Sequence, residues 1–224
     1  MRIFLFLLIL YSTSSFAAIK ALIFDFGGVV AVTDRSPVMQ LILKTFPDAD
    51  PHDFDGDKLY IALNEGEGFW EDYAYYHRKA HPLGHLPVGF MEQINSALTQ
   101  IVRLNPEVQA LVQELKEEGY IVGLLSNTSA ARATFLRRGG YYAPFSPAII
   151  SSDFKVQKPD AEIYRILLRT LNLPAREVVF IDNKTRNVET ARKLGMEGIV
   201  FTSGSQLRAD LAKILSRAEK APAQ

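Results

Sequence analysis

Five short, nearly unbroken apolar runs punctuate the chain: Ile19–Phe24, Tyr120–Leu125, Ala148–Ser151, Val178–Ile181 and Gly198–Phe201. Most are rich in β-branched or aromatic residues, and they lack the polar alternation of a half-exposed strand. They predict strands buried on both faces, as in a parallel sheet. Stretches that read as helices separate them. Asn105-Pro106 forms an N-cap and first-turn pair that opens Glu107–Glu118, and Gly119 closes it. Ala161–Leu171 follows Pro159 in the same manner, and Val188–Leu194 ends at Gly195. Strands alternating with helices predict an α/β, doubly wound core.

The interval between the first two runs is too long for a single crossover. It reads helical throughout. Ser36-Pro37 starts Val38–Phe46, and Lys58–Leu63, Phe69–Ala80 and Phe90–Leu104 follow, with turns at Pro47–Pro51 and His81–His85. The expected organisation is a core made of residues 18–32 and 105–224 with a small helical cap, 33–104, inserted after strand one. The tail from Lys220 to Gln224 is expected to fray.

Residues 1–17 stand apart. Arg2, the apolar run Ile3–Tyr11 and the ending Ser15-Phe16-Ala17 have the layout of a secretory signal peptide. The run is far short of the roughly 20 residues that a spanning helix needs. The expectation is a secreted or periplasmic protein with no membrane contact after cleavage; a miscalled start codon would leave it cytoplasmic.

Charge narrows the field of partners. With 25 Lys+Arg against 25 Asp+Glu, nothing favours nucleic acid or an anionic membrane. The absence of cysteine removes disulfides, thiolate metal sites and thiol nucleophiles.

Ligands of an open parallel sheet bind beyond the carboxyl ends of its strands. There the chain places Asp25 before Gly27-Gly28, then Ser126-Asn127-Thr128, then Lys158-Pro159, then Asp182-Asn183. Taken singly, each is an ordinary turn or cap. Together they suit phosphoryl transfer: an Asp attacks phosphorus, hydroxyl, amide and ammonium groups hold the phosphoryl oxygens, and carboxylates offer a hard cation its preferred oxygens.

In that order, Asp25-Phe26-Gly27-Gly28-Val29, Leu125-Ser126-Asn127-Thr128, Lys158-Pro159 and Phe180-Ile181-Asp182-Asn183 resemble the four motifs of the haloacid dehalogenase superfamily. The nearest subgroup is that of sugar-1-phosphate phosphatases and the N-terminal domains of epoxide hydrolases. The resemblance implies a Rossmann-like core and a Mg²⁺-dependent phosphatase of small phosphorylated metabolites. It implies Asp25 as nucleophile, Ser126, Asn127 and Lys158 as phosphate contacts, and Asp25, the Gly27 carbonyl, Asp182 and Asn183 around the metal.

Two positions depart from the pattern. Gly27 stands where most phosphatases of the superfamily carry an Asp acid/base, although the sugar-1-phosphatase-like members also have Gly. Asn183 stands where the subgroup has a second Asp that ligates the metal, and Lys184 follows it. Weaker Mg²⁺ binding and a lean towards Mn²⁺ are expected. Two other readings stand beside the enzyme: a weakly catalytic relative that binds a phosphorylated ligand or a protein partner, and a metal-free dehalogenase using Asp25 on carbon. Asp53-Phe54-Asp55-Gly56-Asp57 lacks the glycine position and final acid of a calcium loop, and His77 with His81 lacks a third zinc ligand. The aromatic residues Phe69, Trp70, Tyr73, Tyr75 and Tyr76 are expected to form mostly cap core.

Overall fold

The computed structural model describes residues 18–55, 58–65, 67–76 and 85–219. The proposed signal peptide, the histidines at 77 and 81 and the last residues of the tail lie outside them. In chain order, β1 (Ala21–Phe24) leads to β2 (Ala31–Thr33) and then to four helices, α1 (Ser36–Thr45), α2 (Lys58–Glu65), α3 (Glu67–Tyr76) and α4 (Phe90–Ile101). The chain returns through β3 (Val102–Leu104), α5 (Pro106–Glu117), β4 (Ile121–Ser126) and α6 (Ala130–Arg138). It closes with β5 (Ala148–Ile150), α7 (Ser151–Phe154), α8 (Ala161–Leu171), β6 (Val178–Asp182), α9 (Thr185–Lys193), β7 (Glu197–Val200) and α10 (Gly204–Glu219).

The five parallel strands run in the order β5-β4-β1-β6-β7, with Ile23 of β1 between Gly123 and Phe180. β1 is central and completely buried. Its side chains divide by parity, as a pleated strand requires. Leu22 and Phe24 enter the core beneath α5 and the cap, while Ala21 and Ile23 pack with Ile163, Tyr164 and Leu167 of α8. The result is an α/β Rossmann-like fold.

Helix ends follow the sequence signals. The Asn105 side chain accepts hydrogen bonds from the N–H groups of Glu107 and Val108 at 3.1 and 3.3 Å, and Asp160 accepts from Glu162 at 2.8 Å. The cap holds an aromatic cluster: Trp70, Phe54 and Phe90 are fully buried, and Trp70 lies 5.8 Å from Phe54 and 5.4 Å from Phe90 between ring centroids.

The junction between cap and core differs from the expectation. Phe90–Leu104 is not one helix: α4 stops at Ile101, and Val102–Leu104 pairs antiparallel with Ala31–Thr33 as a two-stranded ribbon. This ribbon carries both chain crossings between cap and core, and the Arg103–Asp34 ion pair at 2.8 Å fastens it. No helix among the described residues is long and apolar enough to cross a membrane.

Candidate active site

The parallel register brings the carboxyl ends of β1, β4 and β6 to one edge. Asp25 directly follows β1, and its N–H donates to the Ile181 carbonyl at 2.8 Å, tying it to the neighbouring strand. Ser126 ends β4 and Asp182 ends β6. Between them stands Lys158. Its ammonium donates to Asp25 Oδ1, to Asp182 Oδ2 and to the Leu125 carbonyl, each at 2.7 Å, so all three protons are used. Lys158 is 2% exposed, Asp25 7% and Asp182 0%, so this charge cluster sits at the buried edge of the sheet.

Charges in such a place need partners, because burial strips them of water. Here two carboxylates share one ammonium. The Asp25 pKa is raised, chiefly by burial; Lys158 acts against this, and the nearby Asp182 adds to it. Both oxygens of Asp182 are engaged by the protein. Its Oδ1 accepts from the Lys184 N–H at 2.8 Å, and its Oδ2 accepts from Asn187 Nδ2 at 2.9 Å as well as from Lys158. Asp182 therefore anchors Lys158 and the start of α9.

The Asn127 side chain turns away from the role expected of it. Its Oδ1 accepts from the Lys158 N–H at 2.9 Å and its Nδ2 donates to the Lys158 carbonyl at 2.8 Å. Both amide functions hold the Lys158 backbone, which leaves Ser126 and Lys158 as the side chains of the phosphate set at this edge. Ser126 is buried.

Gly27 and Gly28 form a tight exposed turn, closed by hydrogen bonds from the Gly28 N–H to the Ala31 carbonyl (2.8 Å) and from the Ala31 N–H to Phe26 (2.9 Å). Gly28 has φ +83°, and a Cβ there would lie 2.3 Å from Asn183 Nδ2. The Asn183 amide thus rests on the Gly28 backbone, joining the fourth cluster to the first. At Gly27 a Cβ would meet nothing within 4 Å.

Among the described residues no group of three His, Cys, Asp or Glu could hold a metal. Mg²⁺, however, is often held by only one or two carboxylates plus substrate phosphate and water. Asp25, the Gly27 carbonyl and the Asn183 amide oxygen fit that donor chemistry, and only Gly at position 28 leaves room for the Asn183 amide. Asp182 is fully buried next to Asn183 in sequence, its Oδ2 accepting two hydrogen bonds and its Oδ1 one, so Oδ1 keeps a lone pair.

Sequence reasoning missed Asn187, Tyr164 and Ser151. Asn187 is carried back onto Asp182 by the first turn of α9, and its own carbonyl accepts from Tyr164 Oη at 2.9 Å. Ser151 Oγ accepts from the Thr128 N–H at 3.0 Å and donates to the Thr128 carbonyl at 3.1 Å. The position of Asn187, five residues after a strand-terminal Asp and directly before the expected helix Val188–Leu194, was the available signal; Ser151 and Tyr164 had none beyond polarity.

Comparison with known proteins agrees with this geometry. Residues 22–201 match the haloacid dehalogenase-like hydrolase family. A sesquiterpene phosphatase from Aspergillus oryzae is 28% identical over 184 residues, 82% of this chain and 90% of that protein. A D-ribitol-5-phosphate phosphatase from Bacteroides thetaiotaomicron is 23% identical over 221 residues, 88% and 99% of the two chains. The fold is shared with a haloacid dehalogenase-family enzyme of Bacteroides thetaiotaomicron solved with magnesium and inorganic phosphate. That likeness has a TM-score of 0.52 at 23% identity and covers 84% of this chain and 96% of that one. The chain belongs to the haloacid dehalogenase-like hydrolase family.

Proposed function

We propose that the protein is a Mg²⁺-dependent phosphatase that hydrolyses a small, sugar-phosphate-like phosphomonoester through an aspartyl-phosphate on Asp25. The observation that carries this reading is the Lys158 ammonium fixed between Asp25 and Asp182 beside Ser126. An Asp carboxylate oxygen attacks phosphorus, the phosphorus–oxygen bond to the leaving group breaks, and the departing alkoxide takes a proton. Water then attacks the acyl phosphate, releasing inorganic phosphate and restoring Asp25. Lys158 keeps the nucleophile oriented and offsets negative charge on the phosphoryl oxygens. Ser126 supplies a hydroxyl, and any contact from Asn127 comes through its backbone N–H. When bound by Asp25, the Gly27 carbonyl and Asn183, Mg²⁺ supplies further charge neutralisation for the phosphoryl group.

Relatives named as phosphatases of ribitol phosphate and of sesquiterpenes support an ester of a small organic alcohol. Binding without turnover is the second reading, favoured by one residue, Asn183, where an anionic ligand would hold the metal more firmly. Rates on a phosphomonoester panel with Mg²⁺, with Mn²⁺ and with chelator decide between them. The enzyme reading expects metal-dependent release of phosphate that chelator abolishes. Turnover of a haloacid without metal, or no turnover of any ester with either ion, contradicts it. Export after cleavage near Ala17 is proposed on the leader layout alone.

A further inference from the structure

Among the described residues no carboxylate pairs with the Arg132 guanidinium. Its guanidinium lies over the Tyr60 ring, 5.5 Å from the centroid, and donates through Nη2 to the Thr33 hydroxyl. Tyr60 belongs to cap helix α2 and Thr33 to the ribbon, so Arg132 stands at the seam of cap and core. It also lies six residues beyond Ser126, in the first turn of α6. Its Nε is buried without a hydrogen-bond partner.

Among the described residues the Thr128 hydroxyl is a second buried polar atom without a hydrogen-bond partner. Thr128 follows Ser126 by two residues. Tyr142 meets Phe26, the neighbour of Asp25, edge to face with centroids 5.2 Å apart. Burial pushes the Tyr142 hydroxyl up to about 12, while the Arg132 and Arg137 charges and a hydrogen bond with Ser126 act in the opposite direction, so the Arg132 charge is felt at a residue that touches Ser126. Folded proteins pair roughly nine in ten buried polar groups or more. Two unpaired donors within six residues of Ser126, one of them cationic, are complementary to a group that only accepts hydrogen bonds and carries negative charge.

We propose that Arg132, with the Thr128 hydroxyl, receives a second oxyanion on the leaving group of the substrate, a carboxylate or a further phosphate. Arg132 is then a specificity-determining residue. The inference rests on the phosphatase reading above and deepens it: the substrate class becomes a phosphomonoester with an anionic distal end.

The test uses substrates that share one leaving-group oxygen. Kinetics of the metal-loaded full chain are compared for glucose 1-phosphate, glucuronate 1-phosphate and glucose 1,6-bisphosphate. At least one anionic ester is expected to exceed glucose 1-phosphate in kcat/KM by about tenfold or more, mainly through KM. Which of them does so tells a carboxylate from a phosphate. Arg132→Gln should bring the ratio close to one, and Arg132→Lys should restore part of it. A wild-type ratio near one, or a ratio unchanged in Arg132→Gln, overturns the proposal; the wild-type ratio needs no variant to fold. If no ester is turned over, the phosphatase reading fails separately. The subsite is then judged by calorimetric binding of the same three compounds, where equal affinities or no binding overturn it.

Discussion

With every ammonium proton engaged, Lys158 cannot swing away from Asp25 without breaking a buried contact, so the nucleophile is held by the same atoms that balance its charge. Asp25→Asn preserves the volume and an acceptor for Lys158 but removes the nucleophile, and turnover should fall to background. Its stability effect has a sign. The folded state raises the Asp25 pKa, so ionised Asp25 weakens folding at neutral pH, and this penalty disappears as pH falls towards the unfolded value near about 3.9. Metal-free Asp25→Asn should therefore melt at or above the wild-type temperature at neutral pH, with the gap closing in acid. A variant that melts lower at neutral pH contradicts burial as the dominant cause. Gly28→Ala faces both φ +83° and a 2.3 Å approach to Asn183. It should lose about 1 kcal/mol or more of stability and need more metal, whereas Gly27→Ala should be tolerated. Asn183→Asp should lower the metal concentration for half-maximal rate; no change there removes Asn183 from the metal set. Asp25, Ser126, Lys158 and Asp182 were legible in the sequence because each ends or closely follows an apolar strand. The use of Asn127 was not, because a side-chain amide gives no sign of which backbone it will clasp.

The elements divide by how strongly hydrophobic pattern marks them. The sheet strands were readable because burial on both faces forces continuous apolar runs. The β2–β3 ribbon was hidden because three-residue strands with an exposed middle residue leave no period to read. Helix α6 was hidden for another reason. Its sequence is dominated by alanine and arginine, with only Ala133 and Leu136 buried, and it is held by polar contacts with the cap. Asn64 of α2 donates to the Ala131 carbonyl at 2.7 Å and accepts from Arg138 at 2.8 Å. Loop-to-loop clamping is expected to matter more for activity than these helix contacts. Asn127→Ala should cost about 1–3 kcal/mol by leaving the Lys158 backbone groups unmatched, and should lower kcat because Lys158 loses its anchor. Asn105→Ala, which removes the side-chain cap of α5 and no bond to Lys158, should cost about 1 kcal/mol in chemical denaturation with kcat unaltered. If both variants reduce kcat equally, the clamp has no special role.

At the scale of the whole molecule, the proposed reaction is expected to select its esters by their leaving groups. Gly27 brings no acid to the leaving group, and general acid help is ordinarily worth about 10²–10⁴-fold. Anomeric, acyl and aryl phosphates should outrun primary alkyl phosphates, and a flat dependence on leaving-group pKa contradicts this. Because a Cβ at Gly27 meets nothing within 4 Å, Gly27→Asp has room to supply the missing acid and should narrow the difference. Native protein should begin near Ala18 by intact mass if residues 1–17 are a leader; a soluble species that retains Met1 excludes export. The cap remains the part least readable from sequence, since its aromatic core reports packing rather than ligand chemistry. The central claim is that phosphate passes through Asp25, and rapid acid quench followed by peptide mass mapping tests it most directly. During turnover of an anomeric sugar phosphate, a transient phosphoryl group should appear on the peptide containing Asp25 and be absent in Asp25→Asn. Steady turnover with no phosphoryl group on that peptide at any quench time, or its appearance on another residue, would contradict it.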